Sequence, residues 1–133
     1  HEAELGRLLE MEPAEVAERR VANVREVSRR SGAVVVLKGD DSIVAAPGRP
    51  LAVSPGATPA LATAGTGDVL SGVIGALLAK GLGGYEAAAA GVLAHALAGR
   101  HAAERFGTDH VVAGDVIESL PAAFAERPDG GSR

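Results

Sequence analysis

The sequence has 133 residues, a formal net charge of −4 and no cysteine. The lack of cysteine excludes disulfides and thiolate metal sites, and the acidic balance with only 2% aromatic residues argues against a nucleic-acid-binding surface. No apolar run reaches the roughly 18 residues of a membrane span, so we expect one cytoplasmic domain that binds neither membrane nor nucleic acid.

The first part of the chain is predicted to be helical. Glu2 to Glu10 has leucines at helical spacing, and Pro13 suits the first turn of a second helix from about Ala14 to Arg30. The sequence starts at His1 without an initiator methionine, in residues that already read as structured. We therefore expect a fragment or a processed piece of a longer chain.

Short strands follow these helices. The continuous β-branched run from Ala33 to Leu37 is typical of a strand that is buried on both faces, as in a parallel sheet. Ile43–Ala46 and Leu51–Val53 read as two further strands, joined by a turn at Pro47–Pro50. Helices followed by a buried strand predict an α/β fold.

The most informative stretch is Gly65-Thr66-Gly67-Asp68, at the start of a predicted helix from Asp68 to Lys80. Glycines at a helix start allow backbone N–H groups to face a bound anion. The loop is neither a Walker A loop, because no lysine follows, nor a dinucleotide fingerprint, because Leu70 replaces the third glycine.

Two interpretations of Asp68 remain open on the residues alone. A carboxylate would repel a phosphate, but it suits a second ligand such as a hydroxyl that must lose its proton. Alternatively, Asp68 is only an N-cap or first-turn acid and the glycines only form a turn. The spacing does not decide between them.

The last part of the chain is predicted to form two helices. An alanine-rich helix from Tyr85 to about Arg105 has small residues that permit close packing. A final helix is expected with Asp115 as its N-cap and a kink or break at Pro121, and with an apolar side formed by Ile117, Leu120 and Phe124.

We predict no metal ligands, because His95 and His101 lie six residues apart and do not form an i, i+4 pair on one helix face. Residues 127–133 are polar and glycine-rich, which predicts a disordered tail.

Four segments together resemble a known family. Ala62–Gly72 resembles the ribokinase-like superfamily, whose hallmark is G-x-G-D at a helix start. Three further segments narrow the resemblance to the ADP-dependent NAD(P)H-hydrate dehydratases. They are Val34–Ala45, which has Lys-Gly after a strand, His1–Leu9 and Ala113–Pro121. The resemblance implies the C-terminal portion of a three-layer α/β/α sandwich with a mostly parallel sheet. Residues 1–126 would form the C-terminal half of that domain.

The resemblance also implies a reaction. The family uses ADP, with Mg²⁺, to phosphorylate the hydroxyl of NADH or NADPH hydrate, and elimination then restores the nicotinamide and leaves AMP and phosphate. Asp68 would be the catalytic base and would contact the hydrate, together with His1. The nucleotide would be bound by Lys38, Gly39, Asp40, Asp41, Ser42 and Gly67, and the anion hole would consist of Gly65, Thr66 and Gly67.

Two other functions remain open at this stage. One is a ribokinase-like small-molecule kinase that acts on a vitamin alcohol. The other is a nucleotide-binding fragment that is inactive without the N-terminal half of the domain. We expect either a homo-oligomer or association with that half.

Overall fold

The computed structural model describes residues 1–54, 56 and 58–126, so the predicted tail at 127–133 lies outside them. No helix in these residues is long and apolar enough to cross a membrane. The elements, in chain order, are α1 (Glu2–Leu9), α2 (Pro13–Glu18), α3 (Arg20–Ser31), β1 (Val35–Leu37), β2 (Ile43–Ala45), β3 (Ala52–Val53), α4 (Thr66–Ala79), α5 (Gly84–Phe106) and α6 (Ala113–Ala125), with 3₁₀ turns at Pro59–Ala62 and Thr108–His110.

The single helix predicted for Ala14–Arg30 is in fact two helices. Pro13 occupies the first turn of α2 as expected, but Arg19, with φ −133°, separates α2 from α3. One residue outside helical geometry barely disturbs the spacing of the apolar positions. The periodicity of the sequence therefore gives no sign of this break.

The sheet is antiparallel, which corrects the expectation of a mostly parallel one for the strands described. Its order is β1-β2-β3, with Val36 opposite Val44 and Val44 opposite Ala52. Short connections impose this direction, because parallel neighbours need a crossover of a dozen or more residues. The Ser54 N–H donates to the Ser42 carbonyl at 2.9 Å, which fixes the loop between β1 and β2 at the sheet's end.

Helix α5 packs closely against its neighbours, as its small residues predict. A Cβ added at Gly91 would lie 2.6 Å from Ile74 Cγ1 of α4, and one added at Gly99 would lie 2.6 Å from Leu61 Cγ. Only glycine permits these approaches. The helix therefore holds α4 and the Pro59–Ala62 turn at a short, defined distance.

Helix α6 differs from its prediction in two respects. Its N-cap is Val112, and Asp115 lies in the first turn, where its side chain accepts a hydrogen bond from the Val112 N–H at 2.9 Å. The helix continues through Pro121 without a break. Its buried residues are Val116, Ser119 and Ala123. Of the predicted apolar side, Leu120 is partly buried against the core, whereas Ile117 is 54% and Phe124 53% exposed.

Candidate functional site

The site is built around the first turn of α4. Gly65 precedes the helix with φ +88°, a conformation that favours glycine, and its carbonyl accepts from the Asp68 and Val69 N–H groups, both at 3.1 Å. The Thr66 hydroxyl donates towards the Leu61 and Thr63 carbonyls, at 2.7 and 2.8 Å. These bonds fix the loop that enters the helix.

The Gly67 amide is the open donor of this turn. The Thr66 N–H contacts the Thr63 carbonyl at 3.4 Å, but among the described residues no acceptor is found for the Gly67 N–H. The first N–H groups of a helix lack intrahelical partners, and the helix dipole adds partial positive charge there. Of the three residues predicted for the anion hole, Gly65 and Gly67 therefore have amides without an acceptor among the described residues, whereas the Thr66 N–H and hydroxyl both contact loop carbonyls.

A cavity of about 670 Å³, which we call the polar cavity, lies on one side of this turn. It brings together most of the residues predicted for the nucleotide and the hydrate, and Asp41 is the predicted nucleotide contact outside its lining. The predicted residues that line it are His1, Lys38, Gly39, Asp40, Ser42, Thr66 and Gly67.

The Lys38 ammonium and the Gly67 amide converge in the polar cavity. A Cβ added at Gly67 would lie only 2.9 Å from Lys38 Nζ, so the ammonium rests against the start of α4. Lys38 is half-buried, and within the part of the chain that the structure describes it forms no salt bridge. An unpaired ammonium beside a free amide at a helix start is suited to bind a phosphate.

The loop after β1 is held by Arg20, a residue that the sequence did not single out. Its guanidinium packs directly against Gly39 and donates to the Asp41 carbonyl at 2.6 Å. Its Nε lies 3.4 Å from Glu2 Oε1 of α1. Arg20 therefore links α1, α3 and the Lys38–Ser42 loop, and no motif in the sequence could reveal this link.

Asp68 lies on the other side of α4. It is exposed and lines a second depression of about 850 Å³, which we call the apolar groove. Successive helix residues are rotated by about 100°, so Asp68 projects about 200° from Thr66 and about 100° from Gly67. Asp68 therefore lines a different pocket from His1, the other predicted hydrate contact. The apolar lining of the groove comes from Val69, Val73, Ala76 and Leu77 of α4 and from Ile117, Leu120 and Phe124 of α6.

His95 is the second residue of the site that the sequence did not reveal. It is 9% exposed, lines the polar cavity, and has Nε2 2.9 Å from the Thr66 carbonyl. A carbonyl only accepts, so Nε2 bears the proton. Burial lowers the pKa of His95, the Thr66 bond opposes this shift, and the charge of Lys38 lowers the pKa further. His95 is thus a neutral donor near pH 7.

The histidines do not form a metal site. His101 faces Glu126 at 3.2 Å, far along α5 from the bond between His95 and Thr66. Within residues 1–54, 56 and 58–126, no group of three or more histidine, aspartate or glutamate side chains could hold a metal ion.

Acidification is expected to destabilise the protein through His95. Its pKa is lowered in the folded state, so the unfolded chain takes up a proton first as the pH falls below about 6.5. The free energy of unfolding should therefore decrease through this window, and His95→Gln should weaken the decrease. Thermal unfolding of both proteins between about pH 7.5 and about pH 5.5 measures it. An equal decrease in the free energy of unfolding in both proteins would contradict this role of His95. The charged or titratable neighbours lining the cavity are His1, Glu2, Lys38 and Asp40.

Comparison with known proteins matches this chain to one family. A family model described as NAD(P)H-hydrate dehydratase matches residues 1–122. The bifunctional NAD(P)H-hydrate repair enzyme Nnr of Escherichia coli K12 is 41% identical over 120 residues, which are 90% of this chain and 23% of that protein. The ADP-dependent (S)-NAD(P)H-hydrate dehydratase of Neisseria meningitidis serogroup B is 47% identical over 98 residues, 74% of this chain and 33% of that protein.

The fold comparison agrees with the sequence comparison. A crystal structure of the ADP/ATP-dependent NAD(P)H-hydrate dehydratase of Bacillus subtilis, co-crystallised with ATP and Mg²⁺, superposes with a TM-score of 0.88 at 25% identity. The match covers 94% of this chain and 45% of that one. The α/β ribokinase-like fold is thereby confirmed, and the chain spans about a quarter to a third of these curated relatives.

Proposed function

Because this chain belongs to the NAD(P)H-hydrate dehydratase family, we propose that it provides the nucleotide site and the catalytic base for ADP-dependent dehydration of (S)-NAD(P)H hydrate. The observation that supports this most directly is the arrangement at the start of α4. Lys38 and Gly67 form a site for an anion in the polar cavity, and the carboxylate of Asp68, the next residue along α4, lines the neighbouring apolar groove.

The polar cavity is the proposed ADP site. Lys38 Nζ and the Gly67 N–H bind the phosphates of the nucleotide, both in ADP and in the AMP that remains, and they stabilise the phosphate charge without having to reorganise. Gly39, Asp40 and Ser42 line the cavity next to Lys38, where the rest of the nucleotide would lie. The Asp41 carbonyl contributes indirectly, because its bond to Arg20 holds this loop in place.

Asp68 acts on the hydrate. Its carboxylate accepts the proton of the hydrate hydroxyl while that oxygen forms a bond to the β-phosphorus of ADP and the bond to AMP breaks. The phosphate then leaves with the hydroxyl oxygen, a neighbouring ring carbon loses a proton, and the reduced nicotinamide is restored. In this proposal the hydrate crosses the start of α4, which lets it reach Asp68 in the groove and His1 in the cavity.

Mg²⁺ is compatible with the donors of the polar cavity. Magnesium bound with a nucleotide takes most ligands from phosphates and water, with one or two carboxylates from the protein. Glu2 and Asp40 are the carboxylates that line the polar cavity and would supply them. The ion would neutralise charge on the phosphates.

We further propose that residues 1–126 are the C-terminal half of the family's domain and that the apolar groove receives the other half. Large apolar side chains in the groove, Ile117 and Phe124, are more than half exposed. Open apolar faces of this kind mark contact surfaces. The matched Bacillus subtilis chain contains about as much further structure as this chain itself. We propose that the assembled site acts in the cytoplasm, where reduced nicotinamides are used.

The decisive experiment supplies hydrated NADH with ADP and, in a parallel reaction, with ATP. The chain is assayed alone and together with the remaining half of a family member's domain as a separate polypeptide. We expect the absorbance of reduced nicotinamide to recover in the mixture, with release of AMP when ADP is used. Phosphorylated product without recovery would instead indicate a small-molecule kinase. Turnover by the chain alone would exclude the need for the other half, and a dimer in light scattering would favour the homo-oligomer instead.

Replacing Gly67 with alanine separates nucleotide binding from folding. The new Cβ would displace Lys38 Nζ, so we expect the affinity for AMP to fall by about tenfold. The free energy of unfolding should stay constant or rise by up to about 1 kcal/mol, because alanine is the better helix former. Calorimetric titration and thermal unfolding measure the two effects.

Gly75→Ala is the matched control for that substitution. Gly75 lies on α4, and an added Cβ there would meet nothing within 4 Å. It should give the same gain in helix stability without loss of AMP affinity. An equal loss of affinity in both variants would show that the helix, and not the lysine, is responsible.

A further inference from the structure

We propose that His95 is a positioning residue for the anion site, acting through the Thr66–Gly67 peptide. This inference depends on the proposed function, since it assigns a role within the site that binds the nucleotide phosphate. His95 is not among the residues that the family's motifs predict. The observation that identifies it is its short bond from α5 to the carbonyl at the start of α4.

The geometry of one peptide group carries the argument. The Thr66 carbonyl and the Gly67 N–H belong to the same planar, trans peptide and point in opposite directions. The His95 Nε2–H holds the carbonyl at 2.9 Å, so it also sets the direction of the Gly67 N–H. Helix ends fray, and this peptide lies in the first turn of α4, where an anchor from another helix limits that motion.

The surroundings of His95 strengthen the anchor. The Thr66 hydroxyl donates towards the Leu61 and Thr63 carbonyls, which fixes the same residue from the loop side. Gly91, on the same helix as His95, packs against Ile74 of α4. The α5 backbone that bears His95 therefore has a defined position relative to α4, and the imidazole transmits that position to the amide.

Three variants separate the role of the N–H donor from that of mere packing. His95→Gln can place an amide nitrogen where Nε2 lies, His95→Asn is too short to reach, and His95→Leu fills space without a donor. Each is compared with the unchanged chain by calorimetric titration with AMP, by thermal unfolding, and by the NMR order parameter of the Gly67 N–H. The Gly75 N–H, further along α4, is the internal reference.

We expect His95→Gln to retain AMP affinity within about twofold and the order parameter of Gly67, whereas the Asn and Leu variants lose about tenfold in affinity and show a lower order parameter at Gly67. Gly75 should be unchanged throughout. Folded Asn and Leu variants with undiminished affinity and an equally ordered Gly67 amide would overturn the proposal, even if they unfold at a lower temperature, because packing alone would explain that.

Failure of the inference can be told apart from failure of the proposed function. If the unchanged chain does not bind AMP, the nucleotide proposal fails, while the order parameter of Gly67 still tests His95. If the Asn and Leu variants do not fold, the ¹⁵N spectrum of His95 in the unchanged chain tests the hydrogen bond to Thr66 instead. A proton on Nδ1 in place of Nε2 would overturn the inference, because the bond to Thr66 would then not exist.

Discussion

Replacing Asp68 with asparagine is expected to lower the rate of NAD(P)H-hydrate dehydration by about 100- to 10,000-fold, the usual contribution of a general base. Asparagine keeps the size of the side chain but cannot accept the hydroxyl proton. Asp68 lines the apolar groove and not the polar cavity, so the affinity for AMP and ADP should change by less than about threefold. Turnover is measured with the assembled domain and affinity by calorimetry.

The control for this prediction is Asp109→Asn, a substitution with the same loss of charge at an exposed position in the second 3₁₀ turn. It should leave both turnover and affinity unchanged. If Asp68→Asn weakened nucleotide binding as much as it slowed turnover, Asp68 would belong to the nucleotide site, and the division of roles across α4 would be wrong. Undiminished turnover would leave Asp68 as a simple first-turn acid of α4.

Replacing Lys38 with methionine is expected to weaken AMP and ADP binding by about 10- to 100-fold, the effect of losing a hydrogen bond to a charged group. Methionine keeps the apolar stem, so the strand end should still pack. The substitution has a second readout that does not depend on any ligand. The charge of Lys38 lowers the pKa of His95, so an NMR titration of Lys38→Met should show a higher pKa for His95.

Lys80→Met provides the matched control, since Lys80 is the other lysine of the sequence and caps the far end of α4. Lys80 is 13 positions after Gly67 along α4, which places the two residues about 20 Å apart along the helix axis. Lys80→Met should alter neither nucleotide affinity nor the pKa of His95. Unchanged affinity in Lys38→Met, together with a raised pKa of His95, would place Lys38 in the cavity but exclude it from phosphate binding.

The local elements were largely predictable from the residues. Glycines and helical spacing indicated α4 and α5 to within two residues at their starts, and Pro13 marked the first turn of α2. These features depend on neighbours in the chain, which the sequence displays directly. The predicted contacts of Lys38 and Asp68 with ligands remain predictions, and the structure shows that Lys38 lines the polar cavity and Asp68 the apolar groove.

The wrong predictions have different physical causes. The direction of the sheet follows from the short connections between its strands, whereas the buried face of α6 depends on what packs against that helix. The apolar spacing of Ile117, Leu120 and Phe124 predicted a core-facing side, yet only Leu120 of the three packs against the core, and α6 buries Val116, Ser119 and Ala123. Alternative faces of an apolar helix have similar patterns, so only the neighbouring α5 decides between them.

By itself, the sequence determined the Gly65–Asp68 helix start and the Lys-Gly strand end, because each depends on residues that are adjacent in the chain. It also determined the family in which these two features occur together. Only the tertiary structure decided that the turn of α4 divides this site into a polar cavity and an apolar groove, and that Arg20 and His95 support it. Their bonds to Asp41 and Thr66 join residues 21 and 29 positions apart. No spacing rule spans such separations, since the folded chain alone brings these atoms together.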